Sequence, residues 1–198
     1  MAMKIVFASG NKGKLREASE IFEGFEIMPV SVFPDWNAPD ETGATFLQNA
    51  LIKAEAAAVA AKDHAVLADD SGLVVPALGG KPGIFSARFS KEGTDAANRA
   101  KLLDELSGKA DRSAFFVCAA VMIFPDRTLI AAEGKCDGKI IVTERGDNGF
   151  GYDPVFVPRG FDRTLAELPE DEKNLLSHRG KAFRRLIALL HGEKPSTF

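Results

Sequence analysis

Residues 4–22 read KIVFASGNKGKLREASEIF, and the fold class turns on how this stretch divides. Lys4 to Ala8 is a short apolar, β-rich run, whereas Leu15, Ala18, Ile21 and Phe22 recur at helical spacing from Lys14 onward. A small polar loop separates them, so the chain opens as strand, loop, helix. A helix N-terminus presents unpaired N–H groups and positive potential, and Lys12 and Lys14 add two movable charges. The loop therefore reads either as an anion site or as a turn with solvated lysines. It is not a Walker loop, because only two residues separate Gly10 from Gly13-Lys14 and Leu15 stands where a hydroxyl residue is required.

Working outward, Phe25 to Val32 predicts a second strand, and Phe33 to Gly43, with three acids and two prolines, predicts a loop. Thr45 opens a helix to about Ala61, with Thr45 and Gln48 spaced as a capping box. Ala65 to Ala68 predicts a third strand ending in Asp69-Asp70-Ser71-Gly72, followed by an extended piece from Leu73 to Val75 and a tight loop from Leu78 to Gly83. Thr94 to Leu106 is helical in pattern. Ser113 to Phe124 reads as a buried strand that Pro125-Asp126 turns into a partner from Thr128 to about Gly134. The last helix, Ser177 to about His191, carries Phe183, Leu186, Ile187 and Leu190 on one face. Alternating strands and helices with one central hairpin imply a mixed-sheet α/β fold in one domain spanning 1–198.

Composition narrows the function classes. A chain of 198 residues, 45% apolar, can bury roughly 70% of its unfolded surface. Two cysteines, Cys118 and Cys136, have neither the density of a disulfide scaffold nor the spacing of a zinc site, which points to a reduced, cytoplasmic setting. No run approaches the ~18 apolar residues of a membrane span. Net charge −3 and a pI near 5.7 argue against broad adhesion to nucleic acid or anionic membrane. An anionic ligand must then be held by local cations or a metal.

Four further stretches carry chemistry. In Asp69-Asp70, adjacent strand side chains point to opposite faces, which assigns Asp70, nearer the turn, to a site and Asp69 to support. The acidic loop Asp40-Glu41-Thr42-Gly43 offers a second oxygen ligand, and one or two carboxylates suit magnesium. In Asp147 to Pro154, glycines on either side of Phe150 leave a ring available to stack on a base, or simply form a turn before a strand. Lys173 precedes Ser177-His178-Arg179-Gly180 at the final helix start. An arginine there opposes the helix dipole, so it calls for a partner acid or a ligand, unless it is a surface residue with Ser177 as cap.

The segments SGNKGK, ETGATF, ADDSGL, LGGKPGIFSARF, GFGYDPVF and SHRGKAF occur in this order. Together they resemble the inosine/xanthosine triphosphate pyrophosphatase family, from Lys4 to about Leu190. The resemblance implies an elongated mixed α/β fold with two lobes and a cleft, a homodimer, magnesium, and hydrolysis of ITP, dITP or XTP to the monophosphate and pyrophosphate. It implies that Ser9, Gly10, Asn11, Lys12, Gly13 and Lys14 bind the triphosphate, that Asp70 is general base and metal ligand, and that Ser71 contacts the nucleotide. Phe150, Gly151, Tyr152, Asp153 and Lys173 would line the nucleotide site, His178 and Arg179 would reach the base, and Asp40 or Glu41 would give a second metal contact. Gln48 departs from the family pattern, where relatives carry glutamate, and Phe85 stands for tyrosine. A different modified nucleotide as substrate, or a nucleotide-binding module without catalysis, are the competing readings.

Overall fold

The computed structural model describes residues 3–193. Strand β1 (Lys4–Phe7) buries Ile5, Val6 and Phe7 completely, as a strand covered on both faces must. It pairs in parallel with β2 (Glu26–Pro29) and with β3 (Ala65–Val74). Three more strands, β4 (Ser113–Ile123), β5 (Leu129–Ile140) and β6 (Phe156–Pro158), complete a six-stranded sheet of order β2-β1-β3-β4-β5-β6. Because β5 and β6 are antiparallel, the sheet is mixed, in agreement with the expected fold class.

Helices α1 (Lys12–Ile21), α2 (Phe46–Ala60) and α3 (Asp95–Glu105) alternate with the strands, and α4 (Glu170–Leu176) and α5 (His178–Leu190) follow β6. Local chemistry sets their starts. The Asn11 side chain accepts the Lys14 N–H at 3.0 Å, and Thr45 Oγ1 accepts the Gln48 N–H at 3.2 Å. The reciprocal bond of the expected capping box is displaced by one residue, since Gln48 Oε1 accepts from the Ala44 N–H at 2.7 Å.

Three expectations need correction. The second strand stops at Pro29 and Val30–Val32 form a 3₁₀ turn, because proline offers no N–H to extend a ladder. The third strand does not end at Ala68: β3 runs unbroken through Asp69 and Asp70 to Val74, merging two pieces that the acids seemed to separate. The partner strand of the hairpin continues past Gly134 to Ile140, β6 is the strand that follows the Asp147–Pro154 turn, and α4 has no counterpart among the expected helices.

The chain divides into two compact units, each assembled from separate segments. The first comprises Met1–Asp70, Cys118–Gly134 and Arg179–Phe198; the second comprises Ser71–Val117 and Lys135–His178. In the first, the period of two along β1 and β3 sorts the core. Ile5, Phe7, Ala65 and Leu67 pack with Ala18 and Phe22 of the α1 segment and with Phe183 and Leu186 of α5. Val6, Val66 and Ala68 pack with Ala50, Ala54 and Ala57 of α2. In the second unit, Leu73, Leu102, Leu106, Phe116, Val155 and Phe156 form the core. Both cysteines are buried. No helix among the described residues is long and apolar enough to cross a membrane.

Phe183 is fully buried, its ring 6.2 Å from that of Phe7 and 5.3 Å from that of Phe22. Phe183→Ala is expected to lower stability by about 3–5 kcal/mol, read as a lower urea midpoint at constant slope. A change below about 1 kcal/mol would show that this contact does not anchor α5.

Candidate active site

The alternation that sorts the core also places the two acids of β3. Counting on from Ala65 and Leu67, Asp69 falls on the α1–α5 face; counting on from Val66 and Ala68, Asp70 falls on the α2 face. Both carboxylates lie in the first unit, and each has its own set of partners.

Asp69 is 1% exposed. Its Oδ1 accepts from Lys14 Nζ at 3.2 Å, and its Oδ2 accepts from Arg179 Nε at 3.1 Å with Cys118 Sγ 3.7 Å away. The Arg179 Nη1 donates in turn to Glu17 Oε2. Two cations thus face two carboxylates, the arrangement that buried charge requires. Burial works to raise the Asp69 carboxyl, but Lys14, Arg179 and Lys53 outweigh it and hold the group well below the usual carboxylate range. Burial, reinforced by the Asp69 charge, pushes the Cys118 thiol up, so it stays protonated.

Asp70 is 6% exposed and points to α2. Its Oδ2 accepts from Asn49 Nδ2 at 3.1 Å and its Oδ1 from Lys53 Nζ at 3.2 Å. Asn49 and Lys53 are one helical turn apart, so α2 presents both to the same carboxylate. Lys53 Nζ also donates to Glu41 Oε1 at 2.8 Å. The acidic loop is tied down by Asn49 Oδ1, which accepts the Gly43 N–H at 2.8 Å; a Cβ at Gly43 would lie 2.7 Å from that oxygen. Burial raises the Asp70 pKa above its ordinary value, with the Glu41 charge adding to it and Lys53 and Lys14 opposing. For Lys53, burial opposes the charge, yet Asp69, Asp70 and Glu41 more than offset it and raise the pKa.

Of the two acids left open in the loop, Glu41 shares Lys53 with Asp70, whereas Asp40 is exposed. Among the described residues no three of His, Cys, Asp and Glu stand together as a ready metal cage. In the loop before α1, Ser9 Oγ accepts the Asn11 N–H at 3.2 Å, and the space around Gly10 is open. Lys14 is engaged by Asp69, while Lys12 is exposed.

A second cluster lies within the second unit. Lys173 Nζ donates to Asp153 Oδ2 at 2.6 Å, the Phe150 N–H donates to the same oxygen at 3.0 Å, and Lys173 Nζ is 4.9 Å from the centroid of the Phe150 ring. Gly149 and Gly151 have φ of +74° and +60°, in the left-handed region, and a Cβ at Gly149 would overlap the Asp153 carboxylate. Tyr152 is buried and its OH donates to the Ser86 carbonyl at 2.8 Å, so it supports the loop rather than standing open to a ligand.

The adjacent pair His178 and Arg179 departs from expectation. His178 is 5% exposed and stacks on Phe116, with centroids 4.6 Å apart and rings 9° from parallel. Arg179 is 2% exposed and committed to Asp69 and Glu17. The conflict between its charge and the helix dipole is met by partner acids, which makes Arg179 a holder of Asp69 and not a side chain reaching outward. Lys53, Asn49 and Glu17 were missed by the sequence reading. Lys53 had one signal, its spacing of four from Asn49 on α2; Glu17 had none, its partner being 162 residues away.

Arg179→Met would leave two buried carboxylates facing one cation and is expected to cost about 3–5 kcal/mol at neutral pH. Asp69 has a lowered folded pKa, so its stabilisation is present above the unfolded carboxylate value of about 3.9 and is lost as pH falls through the folded one. The deficit of the variant should therefore shrink on acidification. Urea titrations at neutral and acidic pH check this, and a deficit that grows in acid would contradict it.

A sequence profile of the Ham1 family matches residues 5–189. A dITP/XTP pyrophosphatase of Exiguobacterium sp. is 47% identical over 189 residues, covering 94% of this chain and 96% of that protein. One of Geobacillus kaustophilus is 50% identical over 190 residues, covering 92% of each. The solved Staphylococcus aureus Ham1 protein superposes with a TM-score of 0.84 at 44% identity, covering 96% of this chain and all of that one. A HAM1 protein from Coxiella burnetii gives 0.85 at 41% identity, covering 96% and 99%. With the six motifs in order, the same mixed sheet and near full-length identity, the chain belongs to the Ham1 family.

Proposed function

We propose that this protein hydrolyses non-standard purine nucleoside triphosphates (ITP, dITP and XTP) to the monophosphate and pyrophosphate, clearing them from the nucleotide pool. The observation that carries the reading is Asp70, a buried carboxylate with a raised pKa, fixed by Asn49 and Lys53 beside Glu41. A group tuned in this way suits a general base. Asp70 takes a proton from the water that attacks the α-phosphorus as pyrophosphate leaves. Lys12, exposed at the head of α1, and the loop from Ser9 to Lys14 neutralise the departing phosphates, with the helix N-terminus adding its partial charge. Asp69 and Arg179 act behind them by fixing Lys14.

The carboxylates fit magnesium. Lys53 Nζ stands between Asp70 Oδ1 and Glu41 Oε1 as a cation would, and one or two carboxylates suit an ion that takes waters and phosphate oxygens for the rest of its shell. Asp70 and Glu41 would hold it, Glu41 taking the role over Asp40, and the ion supplies charge neutralisation on the triphosphate. Phe150, Gly151, Asp153 and Lys173, with Ser71, Tyr152 and His178 in support, serve the nucleoside. An acceptor oxygen at C6 pairs with a protein donor that adenine's amino group leaves unsatisfied, which can discriminate by ~10⁴. The same reading makes the protein a cytoplasmic homodimer that acts on free nucleotides.

Asp70→Asn is expected to cut kcat by about 10²–10⁴-fold without lowering the thermal midpoint. Near-normal turnover would remove Asp70 from the mechanism. Pyrophosphate release measured across ITP, dITP, XTP, GTP and ATP is expected to favour the first three, and equal efficiency on ATP would overturn the substrate assignment.

A further inference from the structure

Within the second unit, α3 grips the backbone of the loop that carries Phe150. Asp95 and Arg99 are four residues apart on α3 and share one face. Asp95 Oδ2 accepts the Gly151 N–H at 2.8 Å, and Arg99 Nη1 donates to the Gly151 carbonyl at 2.9 Å. An acceptor and a donor on one helix thus engage both polar groups of a single glycine. Arg99 is itself braced, its Nε lying 2.9 Å from Glu144 Oε2. From the other side, Asp153 accepts the Phe150 N–H.

The loop needs such restraint. Gly149 and Gly151 both occupy the left-handed region, and glycine loses more backbone freedom on ordering than any other residue, so fixing the pair that flanks Phe150 is costly. A binding ring ordered in advance spares the ligand that cost. We infer that Asp95 and Arg99 are positioning residues that pre-order the Phe150 loop for the nucleoside half of the substrate, without touching the reacting phosphates. The inference rests on the pyrophosphatase reading for its substrate, while the clamp is testable without it.

Asp95→Ala is expected to raise KM for dITP about three- to tenfold, the effect of one lost hydrogen bond, with kcat held within about twofold. Asp95→Asn, which keeps an acceptor oxygen, should stay near wild type. Competitive inhibition by inosine monophosphate should weaken with KM in the Ala variant, while inhibition by tripolyphosphate, which has no base, should not. An unchanged KM, or equal weakening of both inhibitors, would overturn the proposal. Hydrogen exchange at the Gly151 amide decides the clamp separately: faster exchange in Asp95→Ala supports it, and unchanged exchange overturns it. A wild-type protein inactive on dITP and blind to inosine monophosphate, yet showing that faster exchange, would refute the substrate reading and leave the clamp standing.

Discussion

Everything in the first unit depends on the two-residue period of β3. Two carboxylates adjacent in sequence cannot share a face while the strand stays regular, so Asp69 and Asp70 are separated by the sheet itself. Each then meets a different helix and a different electrostatic environment. Lys14 and Arg179 hold Asp69 ionised, whereas burial and Glu41 lift the pKa of Asp70. The same residue type one position apart acquires two environments, one that keeps it ionised and one that lifts its pKa, without any difference in its own chemistry.

The helices explain how this is sustained. α2 brings Asn49 and Lys53 to Asp70 and packs alanines against the sheet, where side chains that end at Cβ leave the helix close enough for its polar groups to reach β3. α1 follows the polar loop and carries Ala18, with Phe22 just beyond its end, into the cluster of Phe183, so one helix joins a polar start to a core-facing body. Arg179 occupies the first turn of α5 and Phe183 the second, which ties the charge network to the aromatic contacts of the same helix.

Much of this was legible in the sequence. Strand-loop-helix at 4–22, the cap at Thr45 and the opposed faces of Asp69 and Asp70 follow from local patterns that the structure keeps. What escaped depends on distance along the chain or on competition between signals. The acids in β3 looked like a strand end because charged residues seldom occupy a central strand, and only their long-range partners make the strand continuous. Lys53 carries no local signal beyond its spacing from Asn49, and its partners appear only when Glu41 and Asp70 fold onto it. Arg179 gave a warning that left two answers open, a partner acid or a ligand, and the structure supplies partner acids in Glu17 and Asp69. Six motifs in order identified the family, while the division of labour among its residues had to come from geometry.

The interleaving of the two units has a consequence for biosynthesis. The first unit takes its segments from both ends of the chain and from its middle, and Arg179 lies 110 residues after Asp69 and 162 after Glu17. While the ribosome is still translating the intervening segments, these two acids have no guanidinium to bury against, so their charge network can close only once the segment carrying Arg179 has been made.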